Sequence, residues 1–274
     1  MSPVEEMLRA AAPIESVALA IARDAYPRLQ PETYLRRLDA MAQPLAERFA
    51  TPGGVNPGDR LRTFVDYVYD ELGFTGNADD YYDPRNSYLN DVIDRRTGIP
   101  ITLAVVLIAL GRRVGLTLRG VGFPGHFIVR IERSAVPGAA TFVDPFNRGE
   151  ILEREDLLDI VRRVLGDRAD LAPEQLEPVG NRSMAVRMLF NLQNLHQRRG
   201  DHAGALVACD RLCELADAPF HRRDRGVHAL ALGAVAAAVD DLETYLEQAP
   251  DAPDRDRIEV MLARASMRAP AASN

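Results

Sequence analysis

His126 is the histidine of this sequence whose surroundings suit chemistry. It stands in GFPGHFIVR, directly after a Pro-Gly turn and at the entry to an apolar run, where an imidazole can be held rigidly at a pocket edge. Asp144 lies eighteen residues on, in FVDPFN, and ends the next such run before a proline stop. If a hairpin joins the two runs, the carboxylate falls beside the imidazole. It would then fix the ring's tautomer and favour the imidazolium, as the orienting member of a nucleophile–base–orienter set does. The same pair also reads as a structural hydrogen bond that closes a sheet. The other four histidines, His196, His202, His221 and His228, fall in a helical zone without ligand pairs, so no metal spacing is found. No cofactor motif is present either.

Three zones must position these residues. From Pro13 to about Leu72 the pattern is helical: IESVALAIARDAYP, PETYLRRLDAMAQPLAERFA and DRLRTFVDYVYDELGF, with TPGGVNPGD as a loop. In the second segment Tyr34, Leu35, Leu38, Met41 and Leu45 fall at helical spacing, and Pro31 suits a first turn. The middle zone predicts a short helix in NSYLNDVIDRR, broken by Gly98. A strongly apolar helix then runs from Pro100 to about Val114, with Gly115 as its stop. After it TLRGVGF, HFIVRIER and TFVDPF read as strands, divided by Pro124-Gly125 and Pro137-Gly138. In HFIVRI, Phe127, Val129 and Ile131 alternate with Ile128 and Arg130, as one strand face would. A helix followed by antiparallel-looking strands makes the class α+β.

The last zone, from about Asn181, is helical and internally similar. Gly200 aligns with Gly233, Ala205 with Ala238 and Leu212 with Tyr245, each 33 apart, and Ala218-Pro219 aligns with Ala252-Pro253. That step is the period of a tetratricopeptide helical hairpin. The expected division is a helical part over 1–80, a core over 81–178, a helical repeat region over 179–266 and a loose tail over 267–274.

Composition narrows the function classes. The chain has 274 residues, 47% hydrophobic and 27% charged, with a net charge of −7, so it carries no cationic excess for nucleic acid or anionic lipid. All 33 basic residues are arginine, which removes Schiff-base chemistry and a Walker-type phosphate loop. The two cysteines, Cys209 and Cys213, are one helical turn apart, where a disulfide fits poorly. Together with an N-terminus that lacks a signal-peptide pattern, this predicts a cytoplasmic protein. The most apolar run, Ile99–Leu110, is 12 residues, against roughly 20 for a membrane span.

Three blocks, NSYLNDVIDRRTGIPITLAVVLIALGRRVGL, VGFPGHFIVR and FVDPFNRGEIL, resemble the transglutaminase-like core of the bacterial SirB family. The helical zone, including HRRDRGVHAL and DDLETYLEQAPDAP, resembles the tetratricopeptide part of the same proteins, so the likeness runs from about Ser87 to Ala265. It implies a papain-like core and a Cys–His–Asp site for acyl transfer. There a thiolate at the start of the core helix would attack an amide. His126 and Asp144 match the His and Asp. Aligning Ala104 with the small residue that follows the family cysteine by four puts Pro100 at the cysteine position. The nucleophile is missing.

A hydroxyl substitute is hard to find. Thr102 is two residues past Pro100, on the far side of the helix, and is expected to bond the first turn or pack in the core. Thr97 is placed to cap the helix, and Ser87 lies further upstream. Asn86, Asn90 and Arg96 recur in the family wording and are candidates to line the cleft and bind a peptide or small amide. Turn capping is the other reading for Asn86 and Arg96, and a satisfied buried amide for Asn90. Tyr81, Tyr82 and Tyr88 either wall the cleft or pack. The arginines of GRRVG suit a helix end, and HRRDRG reads as a solvated helix face.

The expectation is a transglutaminase-like protein without its nucleophile that binds a peptide, protein or amide-bearing ligand through the cleft or the repeats. The alternative is a hydrolase in which the His126–Asp144 pair activates water or a hydroxyl.

Overall fold

The computed structural model describes residues 1–132 and 140–266. The Pro137-Gly138 turn and the loose tail expected of the sequence lie outside the described residues. Contacts divide the chain into two units: Glu6–Met188, and Met1–Glu5 together with Leu189–Asn274.

The chain opens with α1 (Pro3–Arg9), which the sequence reading overlooked and which spans the unit boundary at Glu6, and the first unit continues with α2 (Ile14–Ala25), α3 (Pro31–Ala50) and α4 (Arg60–Asp66). Pro31 does begin α3, and Leu38, Met41 and Leu45 are its buried stripe, while Tyr34 and Leu35 are only half-buried. α4 runs on into a π turn, Tyr67–Glu71, which buries Tyr67, Val68 and Tyr69. Next come β1 (Thr75–Gly76), α5 (Leu89–Arg95) and β2 (Thr97–Gly98), with β1 and β2 paired in parallel. Arg96, not Gly98, ends α5. It takes the left-handed conformation at φ 59°, and its carbonyl accepts from Thr75 N at 2.8 Å.

α6 (Pro100–Arg113) is the core helix. Every residue from Pro100 to Gly111 except Ile108 is buried, and Gly115 just past the end has φ 78°. Each fully buried Leu, Ile or Val there contributes about 1.5–3 kcal/mol of transfer free energy. The strand segments then fold as an antiparallel sheet in the order β3 (Leu118–Val121), β4 (Ile128–Glu132), β5 (Ala140–Asp144) and β6 (Glu150–Leu152). α6 packs on β3 and β4.

β4 is buried on both sides of its alternation. Ile128 is as buried as Val129, because it joins Val121, Phe123 and Leu152 in a second cluster under Leu157 and Val161 of α7 (Arg154–Leu165). The sheet is therefore covered on both faces.

A helix over Asn181–Arg198, α8, leads to the second unit, which holds α9 (His202–Leu215), α10 (Pro219–Ala231), α11 (Val235–Gln248) and α12 (Arg255–Ser266). α10 packs against both α9 and α11, and α12 against α11. The 33-residue alignment has a structural counterpart. Gly200 and Gly233 turn the chain at φ 68° and 80°, and Ala205, Ala238, Leu212 and Tyr245 are all buried.

Candidate functional site

A tight turn and the β4–β5 ladder bring His126 and Asp144 together. The amide of His126 donates to Phe123 O at 3.1 Å, closing the Pro124-Gly125 turn before β4. Asp144 ends β5 one pair beyond Val143, whose partner across the ladder is Val129. The result is Nε2 of His126 2.8 Å from Oδ2 of Asp144. The oxygen approaches off the ring's N–H axis, so Nε2 has no aligned hydrogen-bond partner among the described residues.

Asp144 is held from its own loop. Oδ1 accepts from Phe146 N at 2.8 Å and from Asn147 N at 3.2 Å, and Oδ2 accepts from Asn147 Nδ2 at 2.8 Å. Burial works against its charge, but His126 and the two backbone amides outweigh it, and the carboxyl stays below its ordinary range. The loop is anchored from a distance. Tyr69, on the π turn, donates its hydroxyl to Pro145 O at 2.9 Å, and its ring lies where a side chain on Gly149 would have to go. Arg187 Nη2 donates to His126 O at 2.7 Å and steadies the other side. Sequence reasoning missed Tyr69, Asn147 and Arg187 as supports. Only Asn147 had a local signal, the turn-forming Asp-Pro-Phe-Asn.

A cleft of about 300 Å³ opens on the pair. Its carboxylates are Asp144, Glu150, Asp156 and Asp159, its one guanidinium is Arg163, and Leu152, Ile160 and Val164 form an aliphatic wall. No serine, threonine, tyrosine or cysteine lines it among the described residues. The residues come from the turn before β4, from β5, β6 and α7, and neither β6 nor α7 was singled out in the sequence.

The remaining candidates lie elsewhere. Pro100 is buried at the first turn of α6 and does not line the cleft. Thr102 is spent: its hydroxyl donates to Asn86 O at 2.7 Å and accepts from Ile99 N at 3.1 Å. Thr97 donates to Arg95 O and does not cap α6, whose N-cap is Ile99. Ser87 is buried.

Asn86 is fully buried. Its Nδ2 donates to Asp80 O and Tyr81 O, and its Oδ1 accepts from Asn77 and Arg95. Asn90 is buried too, and its Oδ1 has no partner among the described residues. Arg96 lies over the Phe74 ring and reaches Met41 Sδ at 3.0 Å. Tyr88 packs edge-on against Tyr26, while Tyr81 and Tyr82 are exposed.

Two arginine clusters have structural work. Arg112 and Arg113 both bond the buried carboxylate of Glu15. HRRDRG is not the solvated face expected of it. Arg223 pairs with Asp224 and Asp254, and Arg225 with Asp210 and the buried Asp241, so the charges stitch the repeat together.

The two cysteines are free and belong to the second unit, where burial pushes both thiols up, away from a reactive thiolate. Among the described residues no group of three metal-ligating side chains occurs, and no helix is long and apolar enough to cross a membrane.

The profile of the Transglutaminase-like superfamily matches residues 32–190, more than half of the chain. The chain belongs to the transglutaminase-like superfamily. A tetratricopeptide-repeat profile matches residues 192–263, so the transglutaminase-like domain is followed by helical repeats. Among relatives, a UPF0162 protein of Xylella fastidiosa is 39% identical over 252 residues, covering 90% of this chain and 87% of that one. A UPF0162 protein of Vibrio cholerae is 32% identical over 71% of each chain. F-box only protein 21 of Mus musculus is 33% identical over 143 residues, half of this chain and 22% of its own length. The kinship with SirB-type proteins expected of the three motif blocks therefore holds along most of the transglutaminase-like chain.

Proposed function

We propose that the transglutaminase-like domain is a non-catalytic binding module that takes a peptide or another amide-bearing ligand at the His126–Asp144 cleft. The observation that carries this is the occupant of the nucleophile position. Pro100 begins the core helix where the family resemblance calls for cysteine, and the chain's two thiols lie in the other unit with their ionisation suppressed. Acyl transfer needs an attacking atom that becomes covalently bonded to the carbonyl, and proline has none to offer.

What remains suits recognition. An imidazole held beside a carboxylate can exchange hydrogen bonds with an amide, and the aliphatic wall of Leu152, Ile160 and Val164 can cover a short side chain. The tetratricopeptide region supports a protein partner, since such arrays present extended helical surfaces. Cytoplasmic residence belongs to the same reading.

A specific observation also favours water activation as the second reading: His126 faces an open cleft with a carboxylate at its Nε2. The absence of a lining hydroxyl among the described residues leaves water as the only attacking species for it.

Titration of the full chain with N-acetyl-glutamine methylamide, followed through the His126 ring resonances and by ammonia assay, separates the two. Binding predicts shifted ring resonances and no ammonia. Ammonia release that disappears in His126→Gln would establish the hydrolase and overturn the binding module, and ring resonances that never move would overturn the binding module.

A further inference from the structure

Two imidazoles meet inside the second unit. Nδ1 of His202, the first residue of α9, lies 3.1 Å from Nδ1 of His228, in the last turn of α10, with the ring centroids 5.4 Å apart. His228 is buried and His202 half-buried. At that distance the facing nitrogens share one proton: one donates it and the other must keep its lone pair. The contact is satisfied while the pair carries no charge or one. It is broken when both rings are imidazolium, because two N–H groups and two like charges then face each other.

No carboxylate steadies a second charge. Neither ring takes part in an ion pair among the described residues. Asp201, the cap just before His202, is bonded to His196 Nδ1 and to the Gly204 amide. Asp224, one turn before His228, is held by Gln193 of α8 and by Arg223. Arg225 of α10 takes both Asp210 of α9 and Asp241 of α11. His221 of α10 and Cys209 of α9 are buried, which favours their neutral forms. His202 also stands at the positive end of α9. Burial, and then the neighbouring His202, push His228 below its ordinary value, with Asp224 opposing them.

The pair joins two hairpins. Gly200 turns the chain from α8 into α9 and Gly233 from α10 into α11, so α9 ends one hairpin and α10 begins the next. In stacked repeats the interface between neighbours carries their coupling. We propose that the His202–His228 contact is an acid-operated latch between consecutive hairpins of the array, closed while the two rings hold at most one positive charge and open once both are charged. It concerns the second unit alone and stands whatever the cleft of His126 binds. The unfolded chain takes up both protons near the ordinary value of about 6.5, whereas the folded pair resists the second. The latch therefore contributes fully above that pH, and its contribution drains as pH falls below it.

The test follows the full chain by backbone hydrogen exchange, corrected for its intrinsic dependence on pH, and by the imidazole nitrogen resonances. The pair is expected to take up its two protons more than about one pH unit apart. Protection across α9 and α10 should fall at least about tenfold between roughly pH 7.5 and pH 5, with α6 unchanged. In His202→Gln, which leaves His228 a neutral partner, the fall should shrink to less than about twofold. Protection in α9 and α10 that ignores pH would overturn the proposal, as would an undiminished fall in His202→Gln or uptake of both protons at one pH. The first and last of these are read on the unaltered protein, so they decide the matter even where the variant is unstable.

Discussion

The hydroxyl of Tyr69 sits 2.9 Å from the carbonyl of Pro145, 76 residues away in the chain, and through it the N-terminal helices hold the loop on which Asp144 turns. Asp144 is thus placed by a π turn as much as by its own strand, and π turns recur where a side chain must be aimed.

Tyr69→Phe keeps the ring against Gly149 and removes only the bond, leaving a buried carbonyl unpaired. The expected cost is about 1–3 kcal/mol, read from urea unfolding. The His126 ring resonances should also move, because Asp144 loses its tether. A variant as stable as the parent, with unmoved resonances, would show that the bond holds nothing in place.

Acid should weaken the first unit through Asp144. Its folded carboxyl titrates below the ordinary value of about 3.9, so its contribution is complete above that pH. As pH falls further the unfolded chain takes up the proton first, and the contribution drains away towards the folded value. The stability difference between the parent and Asp144→Asn should therefore be largest above about pH 5, on the order of 1–3 kcal/mol, and shrink below about pH 4. Unfolding midpoints measured across that range decide it; a gap that stays constant with pH counts against the paired carboxylate.

In the repeat unit, Arg225 grips Asp241 through Nε at 2.7 Å and through a second bond from Nη2, and the aspartate is buried. Arg225→Met should destabilise that unit by about 2–3 kcal/mol. This is less than the roughly 3–5 kcal/mol typical of a fully buried pair, since Arg225 is a quarter exposed. Adding Asp241→Asn should return part of the loss, and a double-mutant cycle on calorimetric melting reads the coupling. Strictly additive effects would mean that the two side chains do not share their charge.

The features legible in the sequence are those with a local cause. Pro100 and Gly115 bracket the core helix because one suits a first turn and the other a left-handed exit. His126 and Asp144 meet because each stands at the end of a short alternating run and the two runs pair antiparallel. Hidden features depend on partners far along the chain. Arg187 reaches His126 across 61 residues, and the commitment of Thr102 to Asn86 is made across sixteen, with no pattern to announce either. The wall supplied by α7 was missed for another reason: an amphipathic helix declares that it has an apolar face, but not which sheet surface it will cover. The same gap misread HRRDRG, since a run of arginines does not reveal the aspartates waiting on a neighbouring helix and turn.

The matched turns at Gly200 and Gly233 give the C-terminal helices a modular grammar. Where each hairpin presents its successor with the same small and large side chains at equivalent places, a further hairpin can be spliced in without rewriting the ones beside it.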